Sequence, residues 1–158
     1  MIYTCTQILL HWLVAALIYG QWLTYDAISR THNPLLGASD ADLFEHALHT
    51  YGGILIGILI GLRLLLRWHG RGHPVADSPR WETRVAGAVH MALYGLIFAQ
   101  AVTGFLASYV TGAAMRVHTA LWSLVWPLIM LHVLAAGYHL LRQDGTLSRM
   151  LTLRRRNR

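Results

Sequence analysis

The sequence contains no lysine, a single cysteine and few acidic side chains. All 13 basic residues are arginines, set against 7 Asp and Glu. Cys5 alone excludes an internal disulfide and any four-cysteine metal cluster. Charged residues make up only 13% of the chain and hydrophobic ones 55%, a composition too apolar for an ordinary soluble domain of 158 residues. A net charge of +6 suits nucleic acid in principle. Here, however, the arginines stand at the ends of long uncharged runs, which is the pattern of a chain in contact with membrane lipid. No nucleic-acid partner is expected. The first apolar segment lacks a basic start and a small-residue cleavage site, so it reads as a retained span, not a removable signal peptide. No internal repeat is present.

What the chain does contain is four apolar windows. Tyr3–Tyr25 carries no Asp, Glu or Arg, and about 20 apolar residues cross a bilayer. Asp26–Asp42 then reads as a loop, with Asn33-Pro34, Gly37 and Ser39-Asp40. The spacing predicts helices at about 3–25, 45–67, 84–109 and 116–141, followed by a basic tail over 142–158. Residues 1–158 are expected to form one all-α membrane domain, a four-helix bundle. Eleven arginines fall on the side of the helix 2–3 connection and the C-terminus. Only Arg30 and Arg116 fall on the other. The arginine-rich side is therefore expected to be cytoplasmic, holding both termini.

This topology gives each intramembrane histidine a depth. His118 and His132 are 14 residues apart on helix 4. That spacing is about 21 Å of rise and roughly 40° of azimuth, so one helical face presents two imidazoles at two levels. His49, early in helix 2, shares the outer level with His118. His11, early in helix 1, shares the inner level with His132. Ionisable residues inside a bilayer are functional candidates. The plain reading of one such histidine is a hydrogen bond to a neighbouring helix. Two matched levels point instead to paired axial ligands of haem iron in the bundle core. A metal ion without porphyrin needs further ligands, and no Cys or acidic residue lies deep in any window. Gly53, Gly57 and Gly61 form a small-residue stripe that reads first as close helix packing. Pro127 falls between the two histidines of helix 4.

Several stretches together resemble the bacterial cytochrome b561 family. They are His11-Trp12-Leu13, His49-x-x-Gly52, Arg63-Leu64-Leu65-Leu66-Arg67, the His118…His132 pair, and the tail Asp144-Gly145-Thr146-Leu147-x-Arg149-Met150. The resemblance implies a four-helix bundle with two haem b groups, the inner ligated by His11 and His132 and the outer by His49 and His118. It implies an oxidoreductase that relays electrons between an outer-face donor, superoxide or a protein, and membrane quinone, with ubiquinone as the expected substrate. A dihaem anchor subunit of a hydrogenase or formate dehydrogenase is the alternative. A haem-free proton or metal transporter is the third reading.

Secondary candidates follow from depth. Arg63, Arg67, His90 and His139 are candidate haem-propionate or quinone partners, with snorkelling or ordinary helix–helix bonding as the plain readings. His32, His46, His69 and His73 are expected in loops or at the interface. The outer segments hold Asp26, Asp40, Asp42 and Glu45 against Arg30 and Arg116, a formal −2. That balance does not draw in an anion, although Arg116 stands two residues from His118.

Overall fold

Each uncharged window becomes one helix. The computed structural model describes residues 5–35, 37–69 and 80–142. Within them run α1 (Cys5–Thr31), α2 (Asp40–His69), α3 (Arg80–Tyr109) and α4 (Ala114–Leu141). The described residues contain no strand. The helices have 27, 30, 30 and 28 residues, or about 40–45 Å each, against a hydrocarbon core of about 30 Å. All four are long and apolar enough to cross a membrane, so the chain is an all-α, multi-pass bundle. The motif beginning at Asp144 and His73 lie outside the described residues.

The helices overrun their expected ends. α1 continues past Tyr25 to Thr31, and α2 starts at Asp40 instead of near residue 45. Asp26 and Arg30 end the apolar window but not the helix, because charged residues continue a helix once it leaves hydrocarbon. α1 stops where Asn33-Pro34 withdraws the next donor. α2 begins on a reciprocal cap. The Asp42 amide donates to Ser39 Oγ at 3.2 Å, and the Ser39 amide donates to Asp42 Oδ2 at 3.1 Å. That is the capping-box arrangement with Asp in place of Glu. Arg30 bonds both Asp42 and Glu45, the latter at 2.8 Å, and ties the end of α1 to the start of α2. At the other end, Arg142 bonds Glu82 at 3.0 Å, joining the end of α4 to the start of α3.

Consecutive helices pack most closely: α1 on α2, α2 on α3 and α3 on α4. The glycine stripe divides its work. A Cβ on Gly57 would lie 3.0 Å from Ala101 Cβ, so this glycine sets the α2–α3 approach. Gly52 faces the Gln21 amide, and a Cβ there would come within 2.6 Å of it. Gly61 faces open space. α4 is continuous through Pro127.

The buried core is a narrow apolar layer of Val14, Ile56, Leu59, Ile60, Tyr94, Ile97 and Val125. Val125 sits midway between His118 and His132 in sequence, and Ile56 lies two turns from His49. The layer therefore separates the two histidine levels. Outward, Leu9, Leu23, Leu131 and Leu134 stand exposed, as suits a bundle wrapped in acyl chains instead of water.

Candidate functional site

The helices bring the histidines together in two layers at opposite ends of the apolar core. In the layer near the α1–α2 and α3–α4 turns, the rings of His49 and His118 face each other with centres 6.4 Å apart and planes at 77°. In the other layer, His11 and His132 are 6.1 Å apart at 67°. An ion held between two imidazoles on opposite sides sets a ring-centre separation of roughly 6.3 Å. That figure follows from metal–nitrogen bonds of about 2.0–2.1 Å and about 1.1 Å from each nitrogen to its ring centre. Both pairs fit this separation.

Hydrogen bonds fix which nitrogen each ring presents at the turn end. His118 Nδ1 lies 3.0 Å from the Gln100 carbonyl oxygen. A carbonyl only accepts, so Nδ1 carries the proton and Nε2 keeps its lone pair. The His49 Nδ1 lies 3.3 Å from Thr24 Oγ1, whose own hydroxyl donates to the Gly20 carbonyl at 2.9 Å. The hydroxyl therefore accepts from His49, and Nε2 is again the free base. Two neutral imidazoles, each anchored through Nδ1, are the donor set a metal ligand pair requires.

The surroundings of His118 complete the fit. A Cβ on Gly104 would fall 3.0 Å from His118 Cε1, so the ring rests in a recess that only glycine leaves open. The Gln100 side-chain amide nitrogen lies 3.3 Å from His118 Nε2, and its buried Oε1 has no hydrogen-bond partner. An unsatisfied amide oxygen beside a ligand-competent nitrogen marks a place built around a further polar group. His49, His118 and Gln100 line a cavity of about 1300 Å³. Trp22 and Trp126 stack at 6.3 Å and 10° where α1 meets α4, and Trp122 adjoins them at 6.0 Å.

The other layer holds a third imidazole. His90, on α3, is edge-on to His132 at 5.1 Å and 77°. Its Nδ1 is 2.6 Å from the Ala86 carbonyl oxygen. Arg63 turns inward, donating to Tyr94 Oη at 3.4 Å with its guanidinium carbon 5.7 Å from that ring's centre. It lies within electrostatic reach of His11, His90 and His132. Arg67 is one turn further along α2 and partly buried. His139 sits in the last turn of α4 against its neighbour Tyr138.

One pairing was not expected from the sequence. His32 and His46 lie at the mouth of the 1300 Å³ cavity, with ring centres 5.0 Å apart. His46 Nδ1 is 2.7 Å from Thr31 Oγ1, and His32 Nδ1 is 2.8 Å from the Ile28 carbonyl oxygen. The extension of α1 and the early start of α2 create this contact. The available signal was the three-residue spacing of His46 and His49, which puts His46 one turn outward on the same face. His69 bonds its own helix, Nδ1 lying 2.9 Å from the Leu65 carbonyl oxygen.

Comparison with known proteins identifies relatives of the chain. The curated relative "Cytochrome b561 homolog 2" of Escherichia coli (strain K12) is 29% identical over 171 residues, covering 89% of this chain and 86% of its own. Residues 2–153 match the family described as prokaryotic cytochrome b561. With the match spanning nearly the whole chain, the protein belongs to the prokaryotic cytochrome b561 family, whose members hold b-type haem.

Proposed function

We propose that the protein relays electrons across a bacterial inner membrane between two b-type haems. His49 and His118 hold the outer one, and His11 and His132 the inner one. The observation that supports this most is the pair of cross-bundle separations, 6.4 and 6.1 Å. Both would let the two histidines of a layer hold one haem between them, and they lie on opposite sides of one apolar layer. When bound, each haem would supply one-electron transfer, with the two histidines of its layer holding it.

The chain's own residues then do the positioning. Thr24 and the Gln100 carbonyl hold His49 and His118 in the tautomer that offers Nε2. Gly104 makes room for the His118 ring. Arg63 is the cation nearest the inner pair and suits a propionate carboxylate. The excess of arginine on the side of both termini supports a cytoplasmic placement for them.

The outer donor is proposed to be small, with superoxide the candidate, and membrane ubiquinone the acceptor. The charge of Arg30 is absorbed by Asp42 and Glu45, which leaves Arg116, exposed and two residues from His118 in sequence, as the cation able to draw an anion. Stopped-flow mixing of the purified, haem-loaded chain with superoxide, with and without ubiquinone, tests both ends together. The expected result is haem reduction by superoxide and its reoxidation by ubiquinone, without any partner subunit. Haem that superoxide leaves oxidised sinks the donor assignment. Haem that stays reduced in the presence of ubiquinone sinks the acceptor.

A further inference from the structure

The inner layer has one imidazole more than a ligand pair needs, and the geometry gives it a task. We propose that His90 is a positioning residue for His132: His90 Nε2 accepts the Nδ1–H of His132 and thereby sets the reduction potential of the inner haem. The inference rests on reading His11 and His132 as a haem pair.

His90 is too close to His132 to be an alternative trans ligand. Their ring centres are 5.1 Å apart, against roughly 6.3 Å for imidazoles on opposite sides of an ion. A bond between the two rings is not among the hydrogen bonds of the described residues, but the separation allows it: a nitrogen–nitrogen contact of about 3 Å and about 1.1 Å at each end place the ring centres roughly 5 Å apart.

The tautomer of His90 has the right sense. Its Nδ1 faces the Ala86 carbonyl oxygen at 2.6 Å. Since a carbonyl has no hydrogen to give, the proton resides on Nδ1, and His90 Nε2 is left as an acceptor. His132 has the complementary need. Once its Nε2 binds iron, its Nδ1–H requires an acceptor. His32, His69 and His90 each bond the carbonyl four residues back, and His132 makes no such bond among those of the described residues. In the other layer, His118 uses the Gln100 carbonyl and His49 the Thr24 hydroxyl. Near His132, Arg63 is a donor only, and the Tyr94 hydroxyl is engaged by Arg63. His90 Nε2 is an acceptor on a ring that stands 5.1 Å from that of His132.

The chemical consequence is directional. An acceptor on Nδ1–H makes an imidazole a stronger base toward iron, which favours the ferric state. Removing the acceptor should raise the potential of that haem alone.

The test uses the haem-loaded full chain, with spectroelectrochemical titration and low-temperature electron paramagnetic resonance. His90→Leu removes the acceptor, and His90→Gln keeps one. The expected result is that both variants retain two haems. In His90→Leu, one haem's reduction equilibrium moves about tenfold toward the ferrous form, 59 mV for one electron, with a shift in the low-spin resonance of the same haem. The other haem stays where it was, and His90→Gln recovers most of the change. Two retained haems with both potentials and both resonances unmoved in His90→Leu overturn the proposal. So does loss of one haem in both variants, which would make His90 itself a ligand. His132→Ala serves as the separate check on the underlying reading: if it keeps both haems, the pairing of His11 with His132 fails first.

Discussion

At the scale of single residues, the site is defined by which nitrogen each histidine can offer. His118 is held from α3 at three points: the Gln100 carbonyl, the Thr103 hydroxyl at 3.4 Å, and the recess over Gly104. Substitution of the ring removes the ligand, and His49→Ala or His118→Ala should lose one haem per chain while His11→Ala or His132→Ala loses the other. Pyridine haemochrome counting with resolved reduced α-bands checks this, and equal loss of both haems in every variant would contradict the two-layer assignment. Gly104→Ala is a subtler probe. Its Cβ would fall 3.0 Å from the His118 ring, closer than ordinary contact, so the imidazole must turn. Lowered occupancy of the outer haem with the inner one retained is the expected outcome, read from the same spectra. Pairing by level was legible from the 14-residue spacing on one helix together with the arginine count. The partnership of His90 with His132 was not. It depends on how α3 is rotated against α4, and no single-helix periodicity contains that angle.

At the scale of elements, the helices are set by their caps and by one close approach. Ser39 begins α2 through reciprocal bonds with Asp42, and Ser39→Ala should cost about 1 kcal/mol of stability. A lowered thermal midpoint with an unchanged haem spectrum would register it. Gly57 is the point where α2 comes closest to Ala101 of α3: a Cβ there would lie 3.0 Å from Ala101 Cβ. Gly57→Leu should force these helices apart and reduce the yield of haem-loaded protein, whereas Gly61→Leu, facing open space, should be tolerated. A similar yield from both variants would show that the stripe is not a packing surface. The number and order of helices followed from the uncharged windows. Their ends did not, because Asp26 and Arg30 mark where hydrocarbon stops, while Asn33-Pro34 and the Ser39 cap mark where the helices stop. The turn-end histidine pair was hidden by the same error on one side: His32 fell in the segment read as loop, which has no defined face, while His46 lay inside expected helix 2.

At the scale of the whole molecule, the bundle has two wet-chemistry ends and a dry middle. Val14, Ile56, Leu59, Ile60, Tyr94, Ile97 and Val125 lie between the histidine layers, and the one hydroxyl among them, that of Tyr94, is engaged by Arg63. An electron tunnels through such a slab, but a proton needs a chain of polar groups and finds apolar side chains instead. Under the proposed relay, transfer between the layers would be a current and not a neutral hydrogen movement. Each electron moved inward without a compensating proton works against an inside-negative voltage, at up to about 2.3 kcal/mol per 100 mV for a full crossing. In proteoliposomes with the donor outside and quinone in the membrane, turnover should build a potential visible to a voltage-sensitive dye. Valinomycin with potassium should then speed the reaction, and a rate indifferent to it would show that charge is neutralised on the way. If electrons run inward as proposed, this apolar layer would make the membrane's own voltage a brake on their flow.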